Sequence, residues 1–179
     1  MTEWAEHAAA LFEPTKPKWA TPGELAIALD PTTKQTPALD IIDAALVEAF
    51  NTPDSRLIVS MPPQEGKSQA ISRRFPLWGL TQNPDLRIAV ASYEANIARR
   101  WGRSVRDDIT HHQDRLGLHV RQDLSAQNEG SLGNGNEGGM FTAGVGGAMT
   151  GRAVDLMIID DPVKNREQAD SPTYRNRTW

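Results

Sequence analysis

Apolar residues recur at helical spacing at Leu39, Ile42, Leu46 and Phe50. They follow Thr36-Pro37, a residue that can cap a helix start and one whose fixed φ suits the first helical position. The pattern predicts an amphipathic helix that ends near Asn51-Thr52-Pro53. Before it, Pro14, Pro17, Pro22, Pro31 and Pro37 break the chain repeatedly, leaving room for short helices around Trp4–Phe12 and Pro22–Leu29. Residues 1–36 therefore read as an N-terminal segment with short helices, and 37–179 as the core.

Three short apolar runs have the length and composition of buried strands: Arg56–Met61, Leu86–Ala91 and Val154–Ile159. A helix is expected from Lys67 towards Leu80, bent or interrupted at Pro76. Another runs from Glu94 to about His111, with Ile97, Trp101, Val105 and Ile109 on one side and Arg99, Arg100, Arg103 and Arg106 on the other. Leu118–Leu124 suggests a short strand, Ser125–Gly139 a Gly/Asn-rich hairpin tip or mobile loop, and Gly139–Gly151 a short strand followed by a tight loop. Strands alternating with helices imply an α/β fold with a mostly parallel sheet and crossover helices.

The 179 residues suit one domain. With 19 Lys+Arg against 23 Asp+Glu the net charge is −4, which excludes a globally basic nucleic-acid binder but not a local basic face. A mean hydropathy of −0.50, and no apolar run near the roughly 20 residues of a bilayer span, predict no membrane partner. The absence of cysteine removes disulfides, thiolate zinc ligands and thiol nucleophiles.

Candidate chemistry concentrates at two places. Met61-Pro62-Pro63-Gln64-Glu65-Gly66-Lys67-Ser68 lies between a predicted strand and a helix start, where a phosphate-binding loop belongs. Met61 stands where the usual pattern has glycine, and Pro62 and Pro63 carry no N–H. A phosphate cradle would therefore come from Glu65, Gly66, Lys67 and Ser68, with Gln64 beside them; Lys67 would reach the β- and γ-phosphates of a nucleotide and Ser68 would ligate Mg²⁺. The run Asp155–Asp161 delivers Asp160 and Asp161 at the end of an apolar strand, the edge where open α/β sheets bind ligands. Asp160 could hold Mg²⁺ together with Ser68, and Asp161 could polarise a water.

These stretches, with Ala91-Ser92-Tyr93, Gly144–Arg152 and Ile158-Ile159-Asp160-Asp161-Pro162 in the same order, resemble the large subunit of tailed-phage terminases. The resemblance runs from about Pro37 to the C-terminus. It implies a P-loop NTPase of the additional-strand class, incomplete at the C-terminus, with Lys67 and Ser68 at the Walker A positions and Asp160 and Asp161 at the Walker B and catalytic positions. The implied activity is ATP hydrolysis with Mg²⁺, driving double-stranded DNA into a procapsid in the cytoplasm of the infected bacterial host. It further implies a homo-oligomeric ring with portal and small-subunit partners. Gln64 and Glu65 stand where relatives usually carry a basic residue, and Asp161 where many carry glutamate.

By the same resemblance Arg152 is a candidate for the arginine that completes a neighbour's ATP site; the alternative is an arginine that only caps its loop. Arg99, Arg100, Arg103 and Arg106 could face DNA phosphates or a neighbouring subunit, or form a solvated helix side. Gln35, beside Thr36-Pro37, could read an adenine edge because its amide both donates and accepts. His111, His112 and His119 lack metal-ligand spacing. A nucleotide-binding assembly module that hydrolyses slowly or not at all, and another P-loop DNA motor of helicase type, are the alternative functions.

Overall fold

The computed structural model describes residues 18–121, 130–133, 135–147 and 151–173. The expected helix around Trp4–Phe12 and part of the Ser125–Gly139 tip (residues 125–129 and 134) lie outside them. In chain order the elements are α1 (Pro22–Leu29), α2 (Pro37–Asn51), α3 (Lys67–Gln69), a π-helical turn (Ala70–Arg74), α4 (Phe75–Gln82), β1 (Arg87–Ser92), α5 (Ala95–Leu116), β2 (Gly139–Gly144), β3 (Leu156–Ile159) and α6 (Arg166–Asp170). The protein is α/β, with a three-stranded parallel sheet in the order β2-β1-β3 flanked by helices.

Local chemistry explains the helix starts. Thr21 and Thr36 cap α1 and α2, their hydroxyls accepting from the amides of Glu24 and Leu39, and each is followed by proline at the first helical position. Residues 67–82 stay helical throughout. Pro76 cannot donate to Ser72, and its ring would clash with that carbonyl. The chain widens into the π turn immediately before it, with the Phe75 amide donating to the Ala70 carbonyl. The disturbance thus falls at Ala70–Arg74, and α4 runs on through the proline.

β1 lies at the centre, paired with β2 from Arg87↔Gly139 to Ser92↔Gly144 and with β3 from Ile88↔Leu156 to Ala91↔Ile159. Covered on both faces, Ile88, Ala89, Val90 and Ala91 are almost completely buried, as expected for a parallel strand under crossover helices. On one side Phe50, Phe75 and Trp78 form an aromatic cluster with centroids 5.0–6.2 Å apart. The Trp78 indole donates to the Trp19 carbonyl at 3.0 Å, and with buried Leu25 this brings the segment before α2 into the same core. α5 buries Ala98, Trp101, Val105, Ile109 and Leu116 and continues past the predicted end to Leu116, with non-helical backbone at His112. Gly102 lets it approach β2 closely, since a Cβ there would sit 2.9 Å from the Thr142 methyl.

Two predicted strands are corrected. Leu118–Leu124 contributes a single antiparallel bridge, Val120↔Leu132, among its described residues. Arg56–Met61 is not a strand, and Ile58 is 95% exposed. A strand needs a hydrogen-bonding neighbour, and this segment has none, because a groove of about 1130 Å³ separates it from the outer edge of β3. Met157 and Ile159 are exposed on the far side of that groove. β3 begins at Leu156 rather than Val154, and is half-exposed rather than buried.

A contact not apparent in the sequence joins the start of β3 to β1. The Asp155 carboxylate accepts from the Arg87 amide (2.9 Å), Nε (2.8 Å) and Nη2 (2.6 Å), and the Asp155 amide donates to the Arg87 carbonyl. The Arg87 side-chain bonds come first among the causes that hold the Asp155 carboxyl at about 2.

Asp155→Asn should lower the melting temperature at neutral pH. Because the folded pKa is depressed, the wild-type advantage should be full above the ordinary value of 3.8 and vanish as pH falls through about 2. Thermal unfolding followed across that range measures it. Ile158→Ala, at a buried sheet position, should cost about 2–5 kcal/mol in urea denaturation, whereas Ile58→Ala should stay within about 0.5 kcal/mol.

Candidate functional site

In a parallel sheet all strands end at one edge. Here Ser92, Gly144 and Ile159 end together, and the loops that follow them carry Tyr93, Val145 and Asp160-Asp161. Backbone bonds hold these loops: the Asp160 amide donates to the Ala91 carbonyl, Tyr93 to Asp161, and Val145 to Ser92. The acid pair is therefore an extension of the sheet.

Facing it is the Gly66-Lys67-Ser68 turn. Gly66 is left-handed (φ 89°) and so is Gln64 (φ 67°), which coils the chain tightly before α3. Gly66 sits next to Leu39 in the first turns of α2. The amides of Lys67, Ser68 and Gln69 open a helical run and have no acceptor within it.

Two contacts join turn and acids across more than 90 residues of sequence. Lys67 Nζ donates to Asp161 Oδ1 at 2.8 Å, and Ser68 Oγ donates to Asp160 Oδ1 at 3.0 Å. Asp160 is buried, while the Asp161 side chain is 61% exposed and its backbone left-handed (φ 46°), a conformation costly for a non-glycine residue. The structure thus brings Lys67, Ser68, Asp160 and Asp161 into one cluster, with one carboxylate against the lysine and the other against the serine. The groove beside β3 reaches this cluster, having Lys67 and Asp161 in its lining.

The other candidates lie in different surroundings. Gln64 and Glu65 are exposed in the turn before Gly66. Arg152 is exposed in the loop after β2, its guanidinium 5.1 Å from the centre of the Phe141 ring. Gln35 is engaged internally: its Nε2 donates to Asp43 at 2.8 Å and its Oε1 lies 3.4 Å from the Arg74 guanidinium. Asp43 also accepts from the Gly23 amide, and its burial pushes its pKa up. Asp43 fixes the approach of α1 to α2, since a Cβ on Gly23 would collide with both Asp43 and Gln35. Sequence reading missed Asp43 because an aspartate mid-helix looks like any solvated residue; its only trace is its place beside Ile42 on the apolar stripe. No group of three or more His, Asp or Glu side chains among the described residues could hold a metal.

The structure is thus a parallel α/β fold in which a lysine-serine turn meets an acid pair at the carboxyl edge of the sheet. The chain belongs to the terminase large-subunit family: residues 58–178, more than half its length, match the family described as terminase large subunit, T4-like-virus type, N-terminal. Membership points to a role in viral DNA packaging. No curated protein and no solved structure matches the chain significantly. No helix among the described residues is long and apolar enough to cross a membrane.

Asp43→Ala would leave the Gly23 amide and the Gln35 amide without their acceptor. It should cost about 2–4 kcal/mol in chemical denaturation, at roughly 1–3 kcal/mol per buried unsatisfied group.

Proposed function

We propose that this chain is the Mg²⁺-dependent ATPase core of a terminase large subunit, a P-loop NTPase of the additional-strand class that couples ATP hydrolysis to translocation of double-stranded DNA. The observation that carries the reading is the pairing of Lys67 with Asp161 and of Ser68 with Asp160 at the carboxyl edge of a parallel sheet. Family membership supports the DNA-packaging context.

The amides of Gly66, Lys67 and Ser68 would receive the phosphates, with the left-handed Gly66 opening the turn. Ser68 Oγ and Asp160 Oδ1 are two hard oxygen donors within 3.0 Å of each other, which suits Mg²⁺. The ion, when bound, supplies charge neutralisation on the transferring phosphoryl group. Lys67, released from Asp161 by the stronger attraction of the γ-phosphate, stabilises that group's charge. Asp161, freed in turn, accepts a hydrogen bond from the attacking water and orients it in line with the bond to the departing ADP. Arg152 is the candidate for completing a neighbouring subunit's site in a homo-oligomeric ring, and the portal and small subunit are partners by family resemblance. Gln35 would read adenine only by exchanging its bonds to Asp43 and Arg74 for bonds to the base.

A second reading is a nucleotide-binding module that hydrolyses slowly. It is favoured by the direct neutralisation of Lys67 by Asp161.

Lys67→Ala should lower both nucleotide affinity and turnover. Asp161→Asn should keep Mg·ATP binding and lower phosphate release about 100-fold or more. Calorimetry with Mg·ATP beside a phosphate-release assay checks both. Unchanged turnover in either variant overturns the site assignment, and wild-type binding without release supports the module.

A further inference from the structure

The exposed side of α5 carries a cationic cluster that the ATP site does not use. Arg99, Arg100 and Arg103 lie within its first three turns and are all exposed, in a chain whose net charge is negative. Residues three and four apart are neighbours on a helix surface, so the three guanidiniums form one patch. Their immediate contacts do not neutralise them. Arg99 reaches Asn96 Oδ1 at 3.5 Å, Arg100 lies 5.4 Å from the Trp101 ring centre, and Arg103 pairs with no described carboxylate.

Other arginines differ. Arg73 is bound by Asp108, Arg87 by Asp155 and Arg106 by Asp107. Two of those acids, Asp107 and Asp108, belong to α5 itself. The helix's own mid-length carboxylates are therefore consumed by Arg106 and by the π turn, and the acid at its start, Glu94, contacts Asn96. The N-terminal part of α5 keeps a concentrated positive charge.

Placement adds to composition. α5 leaves the sheet directly after β1, at the edge where Lys67 meets Asp161, and Arg99 lies about one turn into it. Arg99 and Arg103 are about 6 Å apart along the helix axis, close enough for their long side chains to reach phosphates of one DNA strand together. The Trp101 ring pre-orders the Arg100 guanidinium, which lowers the entropy lost on contact.

We infer that Arg99, Arg100 and Arg103 form a sequence-independent contact surface for the phosphate backbone of double-stranded DNA. The inference rests on the DNA-motor reading and adds to it the surface through which that motor grips DNA. Arg106, held by Asp107, lies outside this surface.

The test is fluorescence anisotropy of the protein with a labelled random-sequence duplex, titrated at salt from about 50 to 200 mM. Replacing Arg99, Arg100 and Arg103 together by alanine should weaken binding at least tenfold at the lowest salt. It should also reduce the slope of log K against log salt by up to about 2.7, at about 0.9 per lost phosphate contact. The triple lysine variant should retain most of the slope, while Arg56→Ala/Arg115→Ala should behave as wild type. Circular dichroism establishes that each variant folds. Duplex affinity and slope unchanged in the alanine variant overturn the surface alone. So does a lysine variant as weak as the alanine one, or a loss of self-association with DNA binding intact. A wild-type protein that binds no duplex overturns the surface and the DNA reading together, whereas one that binds duplex but no Mg·ATP overturns only the ATPase assignment.

Discussion

Everything at the site depends on β1 being paired on both edges by parallel strands. That arrangement stacks the ends of three strands at one edge and ties the loops beyond them to the sheet through the Asp160, Tyr93 and Val145 amides. Two acids 92 and 94 residues away from their partners then meet Ser68 and Lys67. Were β3 to slip by one residue, every side chain on it would change face, and Asp160 would lose its line to Ser68. The clamp between Arg87 and Asp155, at the opposite end of the same strand pair, opposes such a slip.

At the site Lys67 balances one of the two acids, and Asp160 has the neutral Ser68 hydroxyl as its partner. Lys67 and Asp161 form a pair of which the acid is largely exposed and held in left-handed backbone. An exposed pair of this kind contributes little to stability, and it is correspondingly easy to exchange for a stronger anion. The same economy governs the rest of the surface: Arg73, Arg87 and Arg106 spend their charge on neighbouring acids, and Arg99, Arg100 and Arg103 do not. Which arginines are available to a partner is decided by these pairings rather than by their number.

Several elements are legible in the residues themselves because short-range chemistry decides them. Thr36-Pro37 starts α2 and Pro22–Leu29 is helical, as capping and proline geometry require. The apolar stripe of α5 predicts its buried side, although its end moves to Leu116. The Arg56–Met61 run is where such reading fails. An apolar segment of strand composition becomes a strand only if a partner edge comes within hydrogen-bonding distance, and β3 lies across a groove from it.

Residue type and spacing over a few positions were enough for most of the helices, the strands β1, β2 and β3, the lysine-serine turn, the acid pair and the arginine face. Long-range packing settled which acid Lys67 meets, that Gln35 is bound by Asp43 and Arg74, that Arg152 lies over Phe141, and which arginines are paired with acids. Those are contacts between residues far apart in the chain. Their geometry is set by strand register and helix packing, and no local pattern encodes it.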